Sequence, residues 1–203
     1  MEENLNEKGG RVIELRKTVW SRRKFMRSVP GILVAAGVMG DPIASVGNQD
    51  DSPQLREDLT PEEKKCVEKS SMAKDISNYF GEGYSCAESL FMVSLRFLKK
   101  PEELVWISSG FGGGLYHRDL CGFLTAGIMA IGLSAGMIQS ERKEAKDLCS
   151  QRVKEFWKWW KSEAPLRCAD IRTEGTTSKV CQRLGLLAAA KTENLIKSHK
   201  LEL

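Results

Sequence analysis

The sequence predicts an all-α fold: a compact bundle of five or six helices preceded by a disordered leader and linker. Three observations carry this expectation. Apolar residues recur at helical spacing after residue 60, as in Ala87, Leu90, Phe91, Leu95 and Leu98. Capping-box sequences mark where helices begin. No alternating apolar–polar run of useful strand length intervenes.

The elements follow in order. Thr60-Pro61-Glu62-Glu63 joins a capping hydroxyl, a proline at the first helical position and a carboxylate three residues on, which predicts a helix from 61 to about 80. Gly81 and Gly83 should stop it. Ser85-Cys86-Ala87-Glu88 is a second capping box and opens the next helix. Pro101 starts a short third one with Leu104, Val105 and Trp106. Gly110-Phe111-Gly112-Gly113-Gly114 is too rich in glycine for helix or strand and reads as an ordered turn or a loop of close backbone approach. From 119 to about 137 the chain is apolar almost all round and dense in small residues, the pattern of a buried central helix. A membrane span is the competing reading, at a borderline length of about 18 residues. Ser140 begins an amphipathic helix on which Ala145, Leu148, Cys149, Val153, Phe156, Trp157 and Trp160 form one stripe. After Pro165 a loop carries Cys168, and Thr177 or Ser178 caps a last helix through Val180, Leu184, Leu187, Ala188 and Leu195.

The first 47 residues differ in character. They hold eight Lys and Arg against five Asp and Glu; subtracted from totals of 31 and 27, these leave 23 and 22, so the remainder is close to neutral. A near-neutral domain with no basic run has no electrostatic footprint for nucleic acid, which is not expected as a partner. Ser21-Arg22-Arg23-Lys24-Phe25-Met26, followed by the moderately apolar stretch 29–40, resembles the S-R-R-x-F-L-K pattern of twin-arginine secretion signals. That stretch is about 12 residues, broken by Pro30, Gly31 and Gly37, and is shorter than the roughly 20 residues that span a bilayer. We therefore expect a signal peptide over 1–47, recognition by the twin-arginine translocase, and delivery to the periplasm or another exported location. Contact with the membrane is expected only through this segment, if it stays uncleaved. Residues 48–59 are polar, contain Pro53, and read as a flexible linker to a functional domain over 60–203.

All six cysteines, Cys66, Cys86, Cys121, Cys149, Cys168 and Cys181, lie beyond the leader. Cys66 and Cys149 fall mid-helix in apolar stripes, where cysteine commonly acts as a small buried hydrophobe. Cys86, Cys121 and Cys181 fall in the first turns of expected helices, where free N–H groups and the helix dipole favour the thiolate, the form that binds metal or attacks as a nucleophile. Gaps of 35, 47 and 13 residues separate Cys86, Cys121, Cys168 and Cys181. A shared site must therefore come from tertiary packing, unlike the close ligand pairs of zinc ribbons. C-x-x-C-H is absent, so covalently attached haem is not expected. No Gly-Lys-Ser/Thr follows the glycines to make a phosphate loop, and no Ser/His/Asp set or carboxylate pair supports hydrolysis. His117 reads as a surface residue or an extra ligand, and His199 as solvated.

Gly81-Glu82-Gly83-Tyr84-Ser85-Cys86-Ala87, the glycine run 110–114, then Cys121-Gly122-Phe123-Leu124-Thr125-Ala126-Gly127, Cys168 and Cys181 together resemble the family of redox-active proteins named for its C…GCAxxG…C…C pattern, over roughly residues 65–195. Phe123 stands where that family usually has a small residue, and Ala126-Gly127 reverses the usual order. The resemblance implies redox activity and an iron–sulfur or other metal centre held by Cys86, Cys121, Cys168 and Cys181, with an unidentified redox partner. Related domains accompany haem in split-Soret cytochromes, but this chain lacks the haem motif. Three readings stay open: a cysteine-ligated iron–sulfur protein for electron transfer or redox sensing, a metal-free thiol–disulfide protein, and a structural helical interaction module. Converting both Arg22 and Arg23 to Lys should leave the protein in the cytoplasm, because the paired guanidinium groups are the recognised feature. Fractionation of cells into cytoplasm and periplasm checks this, and normal delivery of the variant would refute the signal assignment.

Overall fold

A computed structural model of the chain describes residue 53 and residues 55–198. The expected leader, most of the linker and His199 lie outside the described residues. Five helices of nine residues or more make the bundle: α1 (Pro61–Lys69), α3 (Cys86–Phe97), α5 (Gly122–Ile138), α6 (Arg142–Glu163) and α8 (Ser178–Lys197). Shorter pieces join them: α2 (Ser71–Ile76), α4 (Trp106–Ser109) and α7 (Cys168–Ile171), with a 3₁₀ turn at Glu102–Val105 before α4. Among the described residues, β pairing is confined to two isolated bridges, Phe80 with Tyr84 and Leu120 with Arg167. The all-α expectation holds.

Both capping boxes form. Glu63 N–H donates to Thr60 Oγ1 at 3.2 Å while Thr60 N–H donates to the Glu63 carboxylate at 2.8 Å. Ser85 and Glu88 exchange the same pair of bonds at the start of α3. The single helix expected from 61 to about 80 is instead two. Ser70, extended at ψ 124°, ends α1 and caps α2 with its hydroxyl, which accepts from Ala73 N–H at 3.0 Å. The cause lies 123 residues away: buried Glu193 on α8 accepts from the Ser70 hydroxyl at 2.6 Å, the Met72 N–H at 2.8 Å and the Ser71 hydroxyl at 3.2 Å. The break turns Met72, Ala73 and Ile76 into the core, whereas α1 fully buries no residue and only its Val67 packs partly against the core. Cys66 is therefore exposed on α1 rather than packed in an apolar stripe, a correction to the sequence reading. What holds α1 is a polar anchor, the buried Arg183 of α8 bonded to Glu63 at 2.5 Å and to Glu163 at 3.2 Å.

The helix expected over 119–137 is α5, and it runs through the centre, touching α3, α6 and α8. Its small residues serve close packing: a Cβ on Gly127 would lie 2.5 Å from the Phe156 ring of α6. Phe156 and Trp160 from the predicted α6 stripe are fully buried against it. Among the described residues, no helix is long and apolar enough to cross a membrane.

Glu193 also sets a pH limit. Burial alone would raise its carboxyl, but hydrogen bonds from Lys197, Ser70 and the Met72 N–H outweigh burial and hold it below the ordinary 4.5. Glu63 and Glu88 are likewise held low by their hydrogen-bond donors despite burial. A depressed carboxyl contributes stability that is present above its unfolded value and is lost as pH falls through its folded one. Stability should thus be level near neutrality and decline as pH drops below 4.5. Glu193→Gln should cost about 2 kcal/mol at neutral pH and shrink the acid-dependent loss, read from urea unfolding followed by circular dichroism.

Candidate functional site

Two backbone hydrogen bonds tie the approach to α5 to the approach to α7. Cys121 N–H donates to Leu166 C=O at 2.8 Å and Cys168 N–H donates to Asp119 C=O at 2.7 Å, on either side of the Leu120–Arg167 bridge. The clamp sets side by side two cysteines that are 47 residues apart. Cys86 is the first residue of α3, Cys121 the N-cap of α5, Cys168 the first residue of α7, and Cys181 lies in the first turn of α8. The loop expected around Cys168 is this one-turn helix, closed by Ile171 N–H to Arg167 C=O at 3.1 Å and Arg172 N–H to Cys168 C=O at 2.9 Å. All four cysteines line one cavity of about 240 Å³, whose remaining wall includes Phe80, Phe123, Ile171 and Leu184. That is larger than the roughly 150 Å³ apolar cavity that accepts benzene. Cys149, half-buried on α6, and Cys66 do not line it, and all six cysteines are free thiols. His117 is exposed and stands outside it.

Glycine makes the approach possible. A Cβ on Gly122 would fall on Cys86 Sγ and stand 3.0 Å from the Phe111 carbonyl oxygen and 3.1 Å from Ala87 N. At Gly114 it would meet Cys168 Cβ at 2.7 Å, and at Gly112 Ser85 Cβ at 2.7 Å, the residue that caps α3. Gly110 has open space around it and only connects. The glycine run thus serves close approach and a tight turn at once. Beyond it the backbone winds the wrong way: Gly113, Gly114, Leu115 and Tyr116 have φ of +58°, +69°, +58° and +56°, and Arg118 +55°. For the three residues with side chains this conformation costs about 1–2 kcal/mol each. Nothing in the sequence at Leu115 or Tyr116 signals it.

Burial dominates the electrostatics. It pushes the Cys121 thiol far up, helped by the neighbouring Cys86 and Cys181, against the pull of the Phe123 and Leu124 N–H groups. Burial also raises Cys86, although N–H groups of Gly113, Ala87 and Gly122 aim at its sulfur, and raises Cys181 despite the charge of Arg172. Without a metal cation beside them the thiol, rather than the thiolate expected at a helix N-terminus, is therefore favoured at all three, because loss of water outweighs the groups that favour the thiolate. Among the described residues, no group of three or more His, Cys, Asp or Glu is arranged to hold a metal ion. Chemically, the cavity offers four soft donors and at least five directed N–H groups in apolar surroundings, a setting for a group with several metal atoms or for pairwise thiol oxidation.

Phe123 forms part of the cavity wall. Its ring meets Phe80 edge-on at 5.1 Å and fits because residue 185 is glycine, where a Cβ would come within 2.8 Å of Phe123 Cζ. Gly122→Ala should cost about 2 kcal/mol, since two of its close neighbours are backbone atoms that cannot swing aside. Gly136→Ala on the same helix meets nothing within 4 Å and should stabilise by about 0.5–1 kcal/mol. Urea midpoints of the two variants check the contrast.

No curated protein and no solved structure matches the chain. Residues 84–195, more than half of the 203, match the family described as "Putative redox-active protein (C_GCAxxG_C_C)", beginning at Tyr84 rather than near residue 65. The matched span holds the four cysteines of the cavity and the glycines that bring the backbone against them, and the chain belongs to this family.

Proposed function

We propose that this chain is an exported redox protein in which Cys86, Cys121, Cys168 and Cys181 hold an iron–sulfur cluster for electron transfer or redox sensing. The observation that carries the reading is the single cavity walled by four cysteines from four helix starts. Its donor set suits the group, because four thiols without a carboxylate favour soft metals and clusters. The backbone suits it too: N–H groups of Gly113, Ala87 and Gly122 point at Cys86 and those of Phe123 and Leu124 at Cys121, and such hydrogen bonds raise a cluster's potential. When bound, the cluster would supply reversible one-electron chemistry. The chain's own part is to supply thiols that give up their protons to the metal, to keep water out with Phe80, Phe123, Ile171 and Leu184, and to hold donors at fixed places. The twin-arginine-like leader supports export of a protein already folded and loaded.

A second reading has its own support. Burial raises the Cys86, Cys121 and Cys181 thiols, which keeps the cavity free of unpaired thiolate charge, and two of its free thiols could pass two electrons and two protons to an external thiol oxidant and close as a disulfide, which an external dithiol reopens. Anaerobic purification followed by iron, sulfide and visible-absorption measurement separates the two. The cluster reading expects brown protein with iron and acid-labile sulfide. Replacing any one of the four cavity cysteines by Ser should cut iron content at least tenfold, while Cys66→Ala and Cys149→Ala keep it, with circular dichroism confirming that each variant is folded. Colourless protein without iron, together with a disulfide among the four on mild oxidation, would establish the second reading instead.

A further inference from the structure

A second hollow, of about 570 Å³, lies against the cysteine cavity, and Gly113, Cys168 and Arg172 belong to the walls of both. Its character is different. Where the inner cavity is apolar, the outer one is bordered by Tyr116, Arg118, Arg172, Thr173 and Thr176, and no carboxylate lines it. Arg118 reaches across to donate to the Arg172 carbonyl, so the left-handed turn and the end of α7 are joined over the hollow. Neither Arg118 nor Arg172 forms an ion pair among the described residues, whereas the adjacent Asp119 is taken up by Arg167. The Thr173 and Thr176 hydroxyls bond to each other at 2.8 Å, which leaves one of the two hydroxyl protons free to donate. Tyr116 and Arg118 stand at this rim on strained backbone, and such strain persists where a particular placement of side chains is maintained by the surrounding fold.

We propose that the outer hollow binds a small oxyanion, gripped by the guanidinium groups of Arg118 and Arg172 and by the one hydroxyl of the Thr173–Thr176 pair whose proton is free, and presents it to the Cys168 side of the inner cavity. Guanidinium forks match planar and tetrahedral oxyanions through paired N–H donors, which lysines or hydroxyls alone do not. The inner group is the one assigned above, and the proposal rests on that reading for what the anion meets beyond Cys168, but not for the binding itself. An inorganic oxyanion and an organic carboxylate share this chemistry, and the test keeps them apart.

Isothermal titration calorimetry on the full chain as purified, at constant ionic strength, should give saturable one-to-one binding of sodium sulfate or of sodium acetate; the tighter of the two identifies the source. Arg172→Gln and Arg118→Gln should each weaken it at least fivefold, Arg172→Lys by less because the charge remains, and Arg142→Gln on α6 not at all. Unsaturable heats with both anions, or binding that survives Arg172→Gln in a variant with unchanged melting, overturns the proposal. Iron content measured on the same samples separates the two readings. Iron without anion binding defeats this proposal alone, and anion binding without iron upholds it while defeating the cluster.

Discussion

The site depends on one piece of backbone: the pair of hydrogen bonds by which Cys121 N–H meets Leu166 C=O and Cys168 N–H meets Asp119 C=O. Main chain cannot rotate away as a side chain can, so two sulfurs far apart in sequence are held by their own peptide groups. The bonds themselves contribute little, about 1 kcal/mol each, and the Asp119–Arg167 pair beside them, at 3.5 Å and more than half exposed on both sides, adds less. Their persistence comes from the core behind them. Trp160 of α6, fully buried, donates its Nε1–H to Pro165 C=O at 3.0 Å, so the residue just before Leu166 is placed by an indole fixed in the core.

Convergence of four helix starts creates an electrostatic conflict that gives the cavity its chemistry. Directed N–H groups and helix dipoles favour negative sulfur, while the apolar wall disfavours any charge, and for Cys86, Cys121 and Cys181 the wall wins. The donors are nonetheless in place. Such an arrangement accepts negative charge only together with a positive partner, and on the proposed reading the metal atoms of a cluster are that partner. Arg172, which lines both hollows, brings a positive charge beside Cys181 but is not itself a metal donor.

Local signals in the sequence were sufficient for most of the fold. Thr60 with Glu63 and Ser85 with Glu88 form the boxes their spacing announces, and the all-round apolar stretch before Met137 is the central helix. What escaped the sequence has non-local causes. The break at Ser70 follows from a carboxylate on the last helix, and with it goes the burial expected for Cys66. The short helix at Cys168 follows from its tie to Asp119. The left-handed turn at Leu115 and Tyr116 is a conformation those residue types oppose, so no propensity could disclose it. At the site, helix position singled out Cys86, Cys121 and Cys181 and the family resemblance added Cys168, but the protonation state could not be read from helix position, since burial is a property of the assembled walls.

The order in which the site comes together follows from where its parts lie. Cys86 and Cys181 are 95 residues apart, and Cys181 belongs to α8, which docks through buried polar contacts: Glu193 with Ser70 and Met72, and Arg183 with Glu63 and Glu163. Until α8 is seated, the cavity lacks one sulfur and the Leu184 part of its wall, so water has access to the remaining thiols. A group bound by all four sulfurs is therefore fully held only once α8 is seated, and it then adds its binding free energy to the fold. On the proposed reading, in which the leader directs export of folded cargo, that coupling would place loading before translocation, and the apolar wall that raises the thiols would also shield the loaded group afterwards.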